Sequence, residues 1–143
     1  MNETDVRIHV YDVTMATGRP PLAAEIAKHF GATRDEATST LQRLAEGRVL
    51  VLQSDGEILM AAPFSAVVTP FAVRAGGVSY FANCIWDALG IPVMLNRDGG
   101  IETSCGDCGH AMTIRIESGS VHGDGVIHFA LQARQWWNDI VFT

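Results

Sequence analysis

Two short segments of this 143-residue chain carry side chains that could do thiol chemistry. In the first, Cys84 and Asp87 stand three residues apart in an apolar stretch that is predicted to be a helix. Residues at this spacing share a helix face, so a thiol and a carboxyl group would lie side by side. Because a carboxylate is costly to bury alone, Asp87 must face water, a partner or a site. The alternative is that Cys84 is buried filler in an apolar helix.

The second segment is a Cys-x-x-Cys pair, Cys105 and Cys108, with a glycine after each cysteine. This is the pattern of a metal knuckle, in which both sulfurs turn toward one ion. A redox pair of the thioredoxin type would need a helix starting at the first cysteine, and the flanks are β-like. Soft-metal binding is therefore the favoured interpretation, and a reduced structural turn is the alternative. A structural zinc site needs four ligands, and the candidates to complete one lack diagnostic spacing: Cys84, His110, His122 and His128.

Composition limits the classes of partner. Hydrophobic residues make up 48% of the chain, enough for a real core, and the net charge is −6. No segment has the basic excess that attracts phosphate backbones or anionic membranes, which argues against nucleic acid as the main partner. The N-terminus lacks the pattern of a signal peptide, and no apolar stretch approaches the ~20 residues that span a bilayer. We therefore expect a cytoplasmic protein with reduced thiols and no membrane partner. The oligomeric state is not determined at this level.

Residues 1–62 have the pattern of three helices followed by a β-hairpin, which predicts a winged-helix-like module. A capping box at Thr33 and Glu36 opens the third helix, and Asp55-Gly56 between two apolar runs is a strong hairpin signal. The third helix has acidic as well as basic side chains. We therefore predict that this module has a structural role or mediates an interaction, rather than recognising DNA. The three helices are predicted to end at Gly18, Gly31 and Gly47.

Residues 63–143 are predicted to form a small mixed α/β domain that contains the cysteines, so the whole chain belongs to the α+β class. An extended connector over residues 61–70 leads into it. A helix is predicted over residues 79–89, which places Cys84 in its second turn. Strands are predicted over residues 67–73, 101–104, 112–117 and 126–131. The pair Trp136-Trp137 near the end of the chain is interpreted as core or lid.

Residues 71–89 resemble the central segment of organomercurial (alkylmercury) lyases, in which a Cys-x-x-Asp helix follows a strand and a turn. That family also places a cysteine in a Ser-x-Cys or Cys-x-x-Cys-Gly stretch further on, which matches residues 103–109. It couples this domain to an N-terminal winged-helix-like module. The resemblance thus runs through nearly the whole chain, and the ordered combination is more specific than the short Cys-x-x-Asp pattern.

The resemblance implies an enzyme that cleaves carbon–mercury bonds by protonolysis. Cys84 would be the thiolate that captures the metal, since mercury is soft and prefers sulfur, and Asp87 would protonate the carbon. Cys105 matches a cysteine whose role in the family is mainly structural. The substrate would be a small organometallic molecule, with no cofactor required beyond mercury, or another soft metal, held by thiolates at Cys84, Cys105 and Cys108.

The family also has a second catalytic cysteine, which follows an aromatic residue in a late strand. Residues 139–143 resemble that context and contain no cysteine, and the sequence ends at Thr143, about where it is expected. Either the chain is naturally short, or a C-terminal segment is missing from this sequence. In a naturally short chain, Cys105 or Cys108 serves as the second thiol, or carbon–mercury cleavage is lost. A different class of function uses the same thiols without catalysis, in a soft-metal binder or metal sensor that could regulate transcription.

Overall fold

The structure is a computed structural model, and it describes residues 1–141. Four α-helices and one short 3₁₀ helix accompany a single sheet. The helices are α1 (Glu3–Thr17), α2 (Ala23–Phe30), α3 (Arg34–Glu46), α4 (Ile85–Met94) and a 3₁₀ helix at Ala133–Asn138. The strands are β1 (Val51–Leu52), β2 (Ile58–Ala61), β3 (Phe64–Ser65), β4 (Ala72–Ala75), β5 (Val78–Ala82), β6 (Gly99–Ser104), β7 (Ala111–Glu117) and β8 (Ser120–His122).

All eight strands pair antiparallel in the order β1-β2-β3-β5-β4-β6-β7-β8. The predicted α+β class is therefore confirmed. Within residues 1–141, no helix is long and apolar enough to cross a membrane.

The N-terminal helices begin and end where their capping residues predict. At the start of α3, the Thr33 hydroxyl accepts a hydrogen bond from the Glu36 N–H, and the Glu36 carboxylate accepts one from the Thr33 N–H at 2.8 Å. Gly18 and Gly31 end α1 and α2 in the left-handed conformation, which glycine adopts without steric cost. The predicted ends of the three helices at Gly18, Gly31 and Gly47, and the predicted start of α3 at Thr33, are confirmed.

Two hydrophobic cores lie along the one sheet. The first is formed by α1, α2, α3 and the β1–β2 hairpin, and its last buried member is Ala61. The second begins at Phe64 and fills the space between α4 and the strands β4 to β7. The sheet itself continues from one core to the other, since β2 pairs with β3 and β3 pairs with β5.

Helix α1 ties the two cores together. Tyr11 packs against both, and its hydroxyl donates a hydrogen bond to the Ala62 carbonyl at 2.9 Å. The Tyr80 hydroxyl on β5 donates to the Met15 carbonyl at 2.7 Å. At the end of α1, a Cβ on Gly18 would lie only 2.1 Å from the Ser79 carbonyl oxygen, so this close contact of helix and strand requires glycine.

The helix predicted over residues 79–89 is wrong in its first half. Gly76 and Gly77 both have positive φ and form a tight hairpin turn, so the chain after them folds back as β5 and pairs with β4. Tyr80 and Ala82 then point into the second core. Helix α4 starts only at Ile85 and continues past residue 89, where the predicted helix ended, to Met94.

Other strand predictions have mixed outcomes. Strands predicted over residues 101–104 and 112–117 are confirmed as the paired β6 and β7. The predicted connector contains β3, and the strand predicted over residues 67–73 is displaced to β4. Residues 126–131 have no regular structure, although a strand was predicted there. Most of that segment is exposed, so its β-branched residues gain no partner strand or core contact.

Candidate functional site

Helix α4 begins directly after Cys84, the cysteine of the predicted Cys84/Asp87 pair. Cys84 is the N-cap residue, with an extended backbone (φ −149°, ψ 179°), rather than a residue of the second helical turn as predicted. Asp87 lies in the first turn of α4. Burial is the main cause of the raised pKa of the Cys84 thiol, and the charge of Asp87 adds to it. The two side chains line the same cavity, although Cys84 precedes the helix and does not share a helical face with Asp87.

Cys84 and Asp87 line a cavity of about 230 Å³. The cavity lies between the start of α4, the β1–β2 hairpin and the C-terminal segment, so three parts of the chain that are distant in sequence build its wall. Most of the lining is apolar. The lining residues are Arg48, Val49, Leu50, Val51, Met60, Ala62, Asn83, Cys84, Asp87, Phe129, Trp136, Trp137, Ile140 and Val141.

The Asp87 carboxyl group is half-buried, and burial is the main reason that its pKa lies above the ordinary value. One hydrogen bond acts in the opposite direction, because the Asn83 side-chain N–H donates to Asp87 Oδ2 at 3.0 Å and stabilises the charged form. The net effect is that the Asp87 carboxyl group holds its proton more readily here than an exposed aspartate does. Such a group can donate a proton to a bound molecule.

The Cys84 thiol is also half-buried, and burial again raises its pKa. The backbone N–H groups of Asp87 and Trp86 at the helix start lower it, but they do not outweigh burial and the Asp87 charge. Cys84 is therefore a protonated thiol until a ligand replaces its proton. A soft metal does this readily, since the thiolate is the form that binds it.

Aromatic side chains cover the cavity from the C-terminal side. The Phe129 ring contacts Trp86 edge-on, with centroids 6.4 Å apart, and lies 5.4 Å from the Trp136 ring. The Arg48 guanidinium lies over the Trp137 ring at 5.6 Å. The interpretation of the tryptophan pair as core or lid agrees with this placement, because both rings line the cavity and Trp137 remains 43% exposed.

Cys105 and Cys108 lie in the connection between β6 and β7, and neither is among the described residues that line the cavity. Cys108 is exposed and Cys105 partly so. Among residues 1–141, no group of three or more His, Cys, Asp or Glu side chains is arranged to hold a metal ion. The structure thus brings Cys84 together with Asp87, and it keeps the Cys-x-x-Cys pair in a different place. The sequence context that resembles a second catalytic cysteine ends with Phe142 and Thr143, which lie outside the described residues.

Sequence reasoning missed several residues of this site. Asn83 directly precedes the cysteine, and its Oδ1 atom is buried without a hydrogen-bond partner in the described part of the chain. Tyr11, from the first helix, is half-buried, and burial is the main cause of its raised pKa, to which the charge of Asp87 adds. Arg48 and Met60 come from the hairpin region. No local pattern links Arg48 or Met60 to Cys84, because tertiary contacts alone bring them to the cavity.

Comparison with protein-family models matches residues 64–143 to MerB, alkylmercury lyase. Among curated proteins, no significant match is found. Among solved structures, the crystal structure of the mercury-bound form of MerB2 is similar, with a TM-score of 0.63 and 19% sequence identity. The alignment covers 82% of this chain and 58% of that one, so this chain spans little more than half the length of that relative. At this identity the likeness establishes the fold.

Proposed function

We propose a function from one premise: the chain belongs to the alkylmercury lyase family. On that premise, we propose that the protein cleaves carbon–mercury bonds by protonolysis. Cys84 captures the metal and Asp87 protonates the carbon. The observation that carries the proposal is that Cys84 and Asp87 lie side by side in the wall of one half-buried cavity at the start of α4.

The proposed reaction has two steps. In the first, the Cys84 thiol releases its proton to solvent and its sulfur binds the mercury of R–Hg⁺. Mercury favours thiolate over oxygen and nitrogen ligands. In the second, the Asp87 carboxylic acid gives its proton to the carbon attached to mercury. The electron pair of the carbon–mercury bond becomes the new carbon–hydrogen bond, the hydrocarbon leaves, and Hg²⁺ stays on sulfur. The carboxylate then regains a proton from solvent.

The cavity wall suits such a substrate. Leu50, Met60 and Trp136 offer apolar surface to the hydrocarbon group, while the polar groups are concentrated at the start of α4. A volume of about 230 Å³ is below the usual range of roughly 300–1,000 Å³ for drug-sized ligands, which favours a small organic group. Asn83 holds the carboxyl group by its hydrogen bond to Asp87.

After cleavage, Hg²⁺ needs a second sulfur. Cys105 and Cys108 stay in the proposal as metal-binding thiols, but they do not line the cavity with Cys84. In our proposal, the second sulfur ligand of the Hg²⁺ bound to Cys84 therefore comes from a small thiol in solution. This thiol also removes the ion from the protein. The protein requires no other cofactor in this scheme.

We also propose that the chain divides into a winged-helix-like module, residues 1–62, and a lyase-like domain, residues 63–143, in a cytoplasmic protein. The two hydrophobic cores support the division. A structural use of the first module is supported by ion pairs on α3, since Arg43 contacts Glu3 at 2.7 Å and Arg34 contacts Glu57 at 3.3 Å. Basic side chains engaged in this way are less available to phosphate groups.

The test is turnover of methylmercury by the full chain in excess thiol, with methane release followed by gas chromatography. We expect methane from the wild-type protein and background release from Cys84→Ser, which retains the shape of the side chain without the soft sulfur. Tight mercury binding with no methane from the wild-type protein would contradict the lyase proposal. That result would favour the non-catalytic metal binder.

A further inference from the structure

The connection between β6 and β7 is a closed turn built around two thiols. The Cys105 N–H donates to the His110 carbonyl at 2.8 Å, and the Gly109 N–H donates to the Cys105 carbonyl at 2.9 Å. Gly109 has φ +72°, a conformation that side chains rarely adopt, and this lets the chain reverse directly after Cys108. Both cysteines are therefore held on one short, hydrogen-bonded loop at the end of the sheet.

Within this turn, the two sulfurs face each other and the backbone. The Cys108 thiol forms a hydrogen bond with the Cys105 sulfur, and the backbone N–H groups of Cys108 and Asp107 also point at that sulfur. The turn therefore holds two sulfurs close together on one short loop, as binding of a single ion by a Cys-x-x-Cys pair requires.

The number of available ligands decides which ion fits. A structural zinc site needs four ligands, and no third His, Cys, Asp or Glu joins the pair among residues 1–141. Soft ions such as Hg²⁺ and Cu⁺ are satisfied by two thiolates in a near-linear arrangement, and they select sulfur over harder ligands. Two sulfurs and no further ligand therefore favour a soft, two-coordinate ion over zinc.

We propose that Cys105 and Cys108 form a second, solvent-facing site that binds one soft two-coordinate ion per chain, separately from Cys84. With Hg²⁺, two S–H bonds are broken, two S–Hg bonds form, and two protons pass to solvent, with no change of oxidation state. The loop is open, because a Cβ placed on Gly106 or Gly109 would meet no atom within 4 Å. The two sulfurs are therefore open to ions that arrive from solvent.

The site is tested in the Cys84→Ser protein, in which the cavity thiol is absent. The reduced protein is titrated with Hg²⁺ under anaerobic conditions in the presence of glutathione. Native mass spectrometry measures the stoichiometry, sulfur-to-metal charge-transfer absorption follows the binding, and X-ray absorption gives the number of sulfur ligands. The matched control is Cys84→Ser with Cys105→Ser and Cys108→Ser added. A parallel titration uses Zn²⁺.

We expect one Hg²⁺ per chain with two sulfur ligands in Cys84→Ser, none retained in the triple variant, and no comparable retention of Zn²⁺. Loss of Hg²⁺ to glutathione from Cys84→Ser would overturn the proposal, and so would four sulfur ligands from two chains bridged by one ion. Oxidation of the pair to a disulfide under these conditions would overturn it as well. Since binding is measured without turnover, a failed lyase assay would leave this result unaffected.

Discussion

The two thiol regions of this protein differ in burial, and the pKa values of Cys84 and Cys105 shift in opposite directions. Cys84 is half-buried beside a carboxyl group, and burial raises its pKa even though it caps a helix. Cys105 sits in an open turn, where neighbouring N–H groups and the Cys108 thiol lower its pKa. A helix N-terminus stabilises a thiolate only when desolvation does not outweigh it. Position at a helix start is therefore not sufficient to make a reactive cysteine.

The difference also separates two uses of a soft metal. In the cavity, a thiol lies beside a proton donor and under aromatic side chains, which suits a reaction on the ligand of the metal. In the turn, two thiols lie in solvent with no carboxyl group directed at them in the described contacts, which suits reversible binding. Two substitutions and one labelling experiment test this difference between the two sites.

The largest effect is expected for the carboxyl group in the cavity. Asp87→Asn keeps the size of the side chain but removes the acidic proton, so turnover of methylmercury should fall by about a hundredfold or more. Mercury binding at Cys84 should remain. The control is Asp107→Asn, which changes the carboxyl group in the thiol turn and should leave turnover near the wild-type rate. Equal effects of the two substitutions would contradict the separation of the two sites.

A smaller effect is expected for thiol reactivity. Because the thiolate reacts, a lowered pKa moves the rise in alkylation rate to lower pH, and a raised pKa moves it to higher pH. Near neutral pH, iodoacetamide should modify Cys105 about tenfold or more faster than Cys84. Mass spectrometry of quenched samples across a pH series measures both rates. In Asp87→Asn, the rise in the alkylation rate of Cys84 should move to lower pH. Alkylation of Cys84 as fast as that of Cys105 in the wild-type protein would contradict the predicted difference.

The smallest effect is expected for the residue that holds the carboxyl group. Asn83→Leu removes the hydrogen bond to Asp87, and a bond of this kind is worth about 1.5 kcal/mol, so kcat should fall roughly tenfold. The change also deletes Asn83 Oδ1, a buried oxygen without a partner in the described chain, so thermal stability should not fall.

Thr103→Val is the matched control, since the Thr103 hydroxyl is likewise buried and unpartnered in that part of the chain but does not line the cavity. It should leave kcat unchanged. If Asn83→Leu lowers the melting temperature and changes kcat no more than Thr103→Val, Asn83 has only a structural role.

Local patterns were enough to predict much of the first half of the chain. The capping box at Thr33, the helix-ending Gly18 and the Asp55-Gly56 turn act through neighbours within a few residues, so their effect is readable from the sequence. The α+β class followed from the same signals. The Cys84/Asp87 pair was proposed from its spacing on one face of a predicted helix, and the two side chains line one cavity in the structure.

Only the tertiary structure decided where that helix begins. The sequence of residues 78–82 is compatible with a helix, and pairing of β5 with β4 after the Gly76-Gly77 turn made it a strand. That shift moved Cys84 from the second helical turn to the N-cap. The residues that line the cavity with it, among them Arg48, Met60 and Trp136, come from distant segments. The lowered pKa of Cys105 comes from hydrogen bonds within its own turn, which neighbouring residues provide. The raised pKa of Cys84 comes mainly from burial, which depends on long-range packing.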